Sequence, residues 1–93
     1  MLPDAADLLA TWNGCGFYRL VGMEVLRADN DGSAFTIDID ERHLQAYGTA
    51  HGGILAGLID AAMGLAILAR VPGQGCATVE LKVNFWRRQC PGA

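Results

Sequence analysis

The sequence predicts a single α+β domain, and two kinds of apolar pattern carry this prediction. Residues 33–39 and 76–86 alternate between apolar and polar side chains, which is typical of strands with one buried face. Residues 52–69 are almost all apolar or small, which favours one long helix. A length of 93 residues fits one small domain. The remaining elements are assigned around these segments.

The chain is expected to begin with a short amphipathic helix over residues 4–12. Asp4 is the predicted N-cap, because a short polar side chain can accept a hydrogen bond from the first turn. Gly14 and Gly16 follow and are expected to end the helix.

A β-hairpin is predicted next. Residues 21–27 form a candidate strand with Val21, Met23 and Val25 on one face. The turn cluster at 28–32 ends in Asp-Gly and leads into the strand at 33–39. Two such strands around a short turn predict antiparallel pairing.

The long helix is expected to stop at the segment "VPGQG", residues 71–75, because Pro and Gly there cannot continue it. The strand at 76–86 follows. The predicted order is therefore helix, strand, strand, long helix, strand, an α+β arrangement.

A helical wheel predicts two different sides for the long helix. The larger apolar side, expected to pack on the sheet, consists of Leu55, Leu58, Ile59, Ala62, Leu65 and Ala66. The opposite side consists of Gly53, Gly57, Ala61 and Gly64, with Asp60 among them. Small residues let another backbone or a ligand approach closely. Asp60 is thus predicted to lie on a ridge of small residues, away from the core side.

Three interpretations of Asp60 are open from the residues alone. The helix could span a membrane, since Gly53-x-x-x-Gly57 matches a helix-packing motif, but a central Asp costs about 2.5–3.5 kcal/mol on insertion. Asp60 could be a structural acid, hydrogen-bonded across a helix contact. It could also be a catalytic base or nucleophile held at an interface.

The residues before the helix favour the catalytic interpretation. The His51-Gly52-Gly53 sequence places two glycines at the helix N-terminus, where unpaired N–H groups and the positive dipole end can stabilise an oxyanion. Gln45 supplies a neutral amide that can orient water or a carbonyl. An acid, an oxyanion site and an amide suit the hydrolysis of an acyl compound.

Composition excludes some function classes. The net charge of −3 and the pI near 5.1 argue against nucleic acid as a partner, because phosphate binding needs a basic face. Three cysteines without a C-x-x-C pair predict reduced thiols in a cytoplasmic protein. Acidic residues near the N-terminus argue against a secretory signal.

Two segments resemble a known family. The stretch "HLQAYGTAHGGILAGLIDAAMGLAI", residues 43–67, followed by "TVELKVNFWR", residues 78–87, resembles the hotdog-fold acyl-CoA thioesterases of the phenylacetate-degradation type. The motif residues are Gln45, Gly48, His51-Gly52-Gly53 and Asp60. The resemblance implies an antiparallel sheet wrapped around one long central helix, and subunits paired as a homodimer or homotetramer.

The resemblance also implies site roles. Gly52 would donate its backbone N–H to the thioester carbonyl, and Asp60 from the partner subunit would attack that carbonyl or activate water. Gln45 would position water or the thioester, and Thr78 would assist with its hydroxyl. His51 would brace the loop or take part in the chemistry. The implied reaction is hydrolysis of aryl- or medium-chain acyl-CoA to free acid and CoA.

Substrate binding is assigned to Gly53 and Arg87. Arginine suits the phosphates of CoA, although a solvated strand end is the alternative for Arg87. Phe17, Tyr18 and Leu20 could line the acyl pocket, with core packing as their ordinary role.

No cofactor is expected. A metal site of His43, His51 and Asp60 has no recognised ligand spacing. A hydratase is disfavoured because nothing resembles the His-Phe-Pro-Gly segment of the dehydratase branch.

Family members continue with further strands beyond the segment "VNFWR". The expectation is therefore one hotdog domain over residues 1–93, incomplete at its C-terminal end. A non-catalytic binding or assembly module, or an inactive fragment, is the alternative to a working thioesterase.

Overall fold

A two-stranded antiparallel sheet lies against one face of a long helix in this computed structural model, which describes residues 7–71, 75–78 and 80–85. The elements are α1 (Leu8–Asn13), α2 (Gly16–Val21), β1 (Met23–Asp29), β2 (Gly32–Ile37), a 3-10 turn (Glu41–His43) and α3 (Gly52–Arg70). The α+β class expected from the sequence is confirmed.

The predicted hairpin is present, but its turn is shorter than the predicted 28–32, because β1 continues to Asp29 and β2 begins at Gly32. Met23 pairs with Ile37 at one end and Asp29 with Gly32 at the turn, and Leu26 lies at a bulge between the two registers. In the turn, Asp29 Oδ1 accepts a 2.8 Å hydrogen bond from the Asp31 N–H. The side-chain alternation and the Asp-Gly turn signal were sufficient to predict this element.

The segment before the hairpin differs from the prediction. The helix begins at Leu8, and the predicted N-cap Asp4 lies outside the described residues. Gly14 ends α1 as its C-cap, as predicted, but Gly16 does not break the chain's helical structure: the chain turns extended at Cys15 and Gly16 begins α2. Val21 therefore belongs to α2 and not to a strand. The helix ends at Gly22, whose left-handed φ of 79° is the usual glycine stop.

The side chain of Asn13 ties α1 to the edge of β1. Its Oδ1 accepts from the Val25 N–H at 2.8 Å, and its Nδ2 donates to the Val25 carbonyl at 3.2 Å. The backbone N–H and carbonyl groups of Val25 therefore have hydrogen-bond partners, which a further strand would otherwise have to supply.

The bounds of α3 agree with the prediction to within one residue, but its core face is rotated from the predicted one. Leu65 and Ala69 are buried, and the partly buried residues packed around them on α3 are Ile54, Leu58, Ala61 and Leu68. Gly57 also faces the sheet, since a Cβ there would lie 3.5 Å from Met23 Cε. Ile59, assigned to the core side, is 39% exposed. Gly57 and Ala61 are small, so the hairpin can lie close to α3 on this side. The helical wheel missed this because it assigned the core side to the larger apolar side chains.

By length and composition, α3 is apolar enough to cross a membrane, with a mean hydropathy of 1.9. Core helices of soluble proteins pass the same test. Here α3 packs one face on β1 and β2.

The strand predicted at 76–86 is not formed within residues 75–78 and 80–85. A strand requires a backbone partner, and the sheet in the described part of the chain consists of β1 and β2. Phe85 nevertheless reaches α3, because a Cβ on Gly52 would lie 3.2 Å from Phe85 Cζ.

Candidate active site

Asp60 meets Thr78 near the middle of α3. The Thr78 hydroxyl donates a hydrogen bond to Asp60 Oδ1, across 18 residues of sequence. Asp60 is half-buried and lines a cleft together with the core residues Tyr18 and Leu65. The predicted ridge of small residues is therefore not separate from the core, since Gly57 and Ala61 face the sheet. The hydroxyl holds one carboxylate oxygen in a fixed orientation.

A cleft of about 220 Å³ opens beside this pair. Its lining residues are Trp12, Tyr18, Asp60, Ala61, Gly64, Leu65, Leu68, Cys76 and Thr78. Its lining combines apolar side chains with polar groups, and most of its accessible surface is polar. Such a cleft can hold a small group beside Asp60.

Tyr18 contributes a buried phenol to the cleft. Burial raises the pKa of Tyr18, and the nearby Cys15 and Asp60 charges raise it further, while a hydrogen bond with the Trp12 side chain acts in the opposite direction. The Tyr18 hydroxyl therefore stays protonated at neutral pH. Of the other residues considered for the acyl pocket, Phe17 and Leu20 are instead exposed.

The loop before α3 is held by its own hydrogen bonds. The Gln45 N–H donates to the Thr49 carbonyl at 2.9 Å, and Gly48, at a φ of 81°, donates its N–H to the Gln45 carbonyl at 2.9 Å. The Gln45 side chain donates from Nε2 to Thr49 Oγ1 at 2.8 Å. The predicted site amide thus braces the loop through its NH2 group, which leaves the carbonyl oxygen of the side chain for other partners.

His51 caps α3. Its Nδ1 accepts from the Gly53 N–H at 2.9 Å, and its carbonyl accepts from the Ile54 N–H at 3.0 Å. A neutral imidazole that accepts at Nδ1 carries its proton on Nε2. Gly53 makes room for this cap, since a Cβ there would lie 3.0 Å from His51 Nδ1.

The cap leaves the Gly52 N–H available. The first N–H groups of a helix have no intrahelical acceptor, and within the described part of the chain no acceptor lies within hydrogen-bond distance of this one. Of the two predicted glycines, Gly52 therefore offers a backbone donor and Gly53 does not.

His43 is a core residue. Its ring is 3% exposed, Nδ1 accepts from the Asp40 N–H at 2.9 Å, and Nε2 bonds to the Val21 carbonyl. Among the described residues, no group of three or more His, Cys, Asp or Glu side chains could hold a metal ion.

The two parts of the predicted site are separated within one chain. With a rise of 1.5 Å per residue, Asp60 lies about 12 Å along α3 from Gly52. The Gly52 end adjoins a different cleft, of about 480 Å³, lined by Leu20, Val21, Arg42, His43, Leu44, His51 and Ile54. The structure therefore brings together Asp60 and Thr78, and separately Gln45, His51, Gly52 and Gly53. Arg87 lies outside the described residues.

Comparison with known proteins identifies the family. The model of the thioesterase superfamily matches residues 47–92, which include the helix cap, Asp60 and Thr78. Residues 47–92 belong to the thioesterase superfamily. Gln45 lies outside the matched residues.

Two relatives from Pseudomonas aeruginosa extend this result. Over 48 residues, this chain is 46% identical to "Putative esterase PA0474". The aligned residues cover 50% of this chain and 36% of that protein. The solved structure of conserved protein PA5202 superposes with a TM-score of 0.80 at 25% identity, covering 84% of this chain and 63% of that one. The hotdog fold is thus confirmed, while the chain spans less than two thirds of the length of either relative.

Sequence reasoning missed Trp12 as a residue of the cleft, and it left Tyr18 undecided. Trp12 lies in the helix that was predicted, whereas Tyr18 lies in α2, which was not predicted. Their spacing around Gly14 and Gly16 has no helical period that would place them on one wall.

Proposed function

We propose that the chain hydrolyses acyl-CoA thioesters with aryl or medium-chain acyl groups to the free acid and CoA. The observation that carries this proposal is the Asp60–Thr78 pair at the side of a small cleft. Membership in the thioesterase superfamily and the name of the esterase relative support the reaction class. The resemblance to the phenylacetate-degradation type favours CoA esters.

The carboxylate of Asp60 acts as the nucleophile or as the general base. It either bonds directly to the thioester carbonyl carbon, giving an anhydride that water then opens, or removes a proton from the attacking water. In both cases the C–S bond breaks and the thiol leaves as CoA. The Thr78 hydroxyl keeps the carboxylate directed into the cleft.

The negative oxygen that develops on the carbonyl needs a donor, and the Gly52 N–H supplies it. Because Gly52 and Asp60 of one chain lie about 12 Å apart along the helix, one carbonyl cannot meet both. We therefore assign Gly52 from one subunit and Asp60 from its partner to each site, in a homodimer or a homotetramer of such pairs.

The other predicted residues take supporting roles. His51 positions the Gly52 N–H by capping the helix, and Gln45 offers its side-chain carbonyl oxygen to a water at the site. Gly53 leaves space for the His51 ring. Arg87 remains assigned to the CoA phosphates. The exposed free thiols of Cys15 and Cys76 accord with the predicted cytoplasmic location.

The test is thiol release from a panel of aryl- and medium-chain acyl-CoA esters. We expect Asp60→Asn to lower kcat by about 10²–10⁴-fold, the range for losing an acid–base group, with the fold retained. Asp38→Asn makes the same chemical change on an exposed carboxylate and is expected to leave turnover unchanged.

Turnover retained by Asp60→Asn would contradict the assigned role. An unmodified chain that releases no thiol from any ester, yet binds them, would instead be the non-catalytic binding module.

A further inference from the structure

His43 is a buried polar side chain to which the proposed mechanism gives no role. The residue is 3% exposed. Within the described part of the chain, the other buried polar side chain is Thr49, which lies on the same loop before α3. Burying a polar group costs free energy unless the group is hydrogen-bonded, so an apolar residue is the ordinary choice for such a position. Packing alone therefore does not explain a histidine here.

Both nitrogens of the His43 ring have a partner. Nδ1 accepts a hydrogen bond from the Asp40 N–H at 2.9 Å, and Nε2 bonds to the Val21 carbonyl. A carbonyl oxygen only accepts, so Nε2 carries the proton and donates it. Val21 is the last residue of α2. The ring therefore joins the loop before α3 to the C-terminal end of α2.

The backbone of the same residue holds the start of α3. The His43 carbonyl accepts from the His51 N–H at 2.8 Å, and His51 Nδ1 accepts from the Gly53 N–H at 2.9 Å. The Gly52 N–H lies between these two bonded N–H groups. It cannot change direction freely while both bonds are kept, so its direction depends on where the His43 carbonyl lies.

We infer that His43 is a positioning residue for the oxyanion donor. Its bond to the Val21 carbonyl fixes the His43 backbone, which sets the direction of the Gly52 N–H through His51. This inference rests on the proposed function, in which that N–H meets the thioester carbonyl. An oxyanion donor acts more strongly in the transition state than in the bound substrate, so its misalignment lowers kcat and leaves KM little changed.

The test uses two variants that each keep one bond of the ring. In His43→Gln, the amide NH2 reaches as far as the imidazole Nε2 and donates to the Val21 carbonyl. In His43→Asn, the shorter amide accepts from the Asp40 N–H but does not reach Val21. Each variant loses one hydrogen bond, so we expect similar losses of stability. The variants differ in whether the loop remains joined to α2.

Steady-state thiol release is measured at a temperature at which every variant is folded by circular dichroism. We expect His43→Asn to lower kcat by about 10–100-fold with KM little changed, the effect of a misplaced catalytic group. His43→Gln is expected to keep kcat close to that of the unmodified chain. Val25→Ala removes a core side chain of β1 that is 2% exposed, so it lowers stability and is expected to leave kcat of the folded chain unchanged.

Hydrogen exchange of the His51 N–H, followed by NMR, tests the same link without turnover. We expect this exchange to be about tenfold faster in His43→Asn, the effect of weakening one neutral hydrogen bond, and little changed in His43→Gln. The amides of β1 and β2 serve as the reference for the overall stability of each variant.

The inference is overturned if His43→Asn keeps its kcat, raises KM alone, fails to fold or leaves the His51 exchange unchanged. It is also overturned if His43→Gln loses as much kcat as His43→Asn. An unmodified chain that releases no thiol would reject the proposed function. Faster His51 exchange confined to His43→Asn in such a chain would still uphold the control of the Gly52 N–H by His43.

Discussion

The N-terminal end of α3 is held by backbone hydrogen bonds, whereas the middle of α3 meets its neighbours through side chains. At the N-terminal end, the His51 N–H donates to the His43 carbonyl at 2.8 Å, and Leu44 forms a bridge with Ala50. In the middle, Thr78 bonds to Asp60, and Asn13 secures the segment that carries the cleft wall.

This difference shows which substitutions each region tolerates. The functional group at the N-terminal end is a backbone N–H, so most side-chain changes leave it in place. The functional group in the middle is a carboxylate in a cleft made of side chains, so its surroundings depend on each residue. Four predictions follow the comparison from the larger effect to the smaller.

The largest effect is expected from Gly52→Pro. Proline removes the N–H but is tolerated at the first helical position, and His51 before it already has the extended conformation that proline requires (φ −64°, ψ 132°). Loss of one oxyanion donor is expected to lower kcat by about 10²–10³-fold. Steady-state thiol release measures it.

Gly52→Ala is the matched control, because it makes the same Cβ contact with Phe85 and keeps the N–H. Equal losses in the two variants would assign the effect to crowding and not to the donor.

A second prediction concerns the pairing of chains. Gly52→Pro and Asp60→Asn are each inactive in the proposed site, but a mixed dimer contains one site with both intact groups. Random pairing in a refolded equal mixture is therefore expected to restore about a quarter of the original activity. Activity no higher than that of the separate variants would contradict the assignment of Gly52 and Asp60 in each site to two different chains.

A smaller effect is expected on stability from Asn13→Ala. The substitution removes two partly buried hydrogen bonds to Val25, which together contribute about 1–3 kcal/mol. Urea unfolding measures the free energy. Thr11→Ala, on the exposed part of the same helix, is expected to change it little. A similar loss of unfolding free energy in both variants would mean that it comes from a weakened α1 and not from the lost hydrogen bonds to β1.

The smallest effect is expected from Gly64→Ala. A Cβ there meets nothing within 4 Å, and alanine stabilises a helix interior by about 0.5–1 kcal/mol relative to glycine. Since Gly64 lines the cleft, the added methyl group is also expected to raise KM for bulky acyl esters more than for acetyl-CoA. Thermal unfolding and KM values across the ester series measure the two effects, and a lower melting temperature would contradict the first.

Much of the fold was predictable from local pattern. The hairpin followed from strict alternation around an Asp-Gly turn, and the bounds of α3 followed from a long apolar run between Gly-Gly and Pro-Gly. The restart of the chain as α2 was not predictable in this way, because a glycine ends or restarts a helix according to what packs around it. The strand predicted at 76–86 is absent from its described residues for a related reason, since alternation indicates a strand only where a second backbone can pair with it.

The sequence by itself determined which groups the candidate site contains: one carboxylate within an apolar helix, a threonine beyond it and glycines at the helix start. Only the tertiary structure decided how they are grouped, with Asp60 beside Thr78 and Tyr18, and Gly52 about 12 Å away along α3. Residue type and spacing record local preference, which covers a few turns of chain. The direction in which a side chain faces depends on packing between segments that are distant in sequence, and that packing exists only in the folded chain.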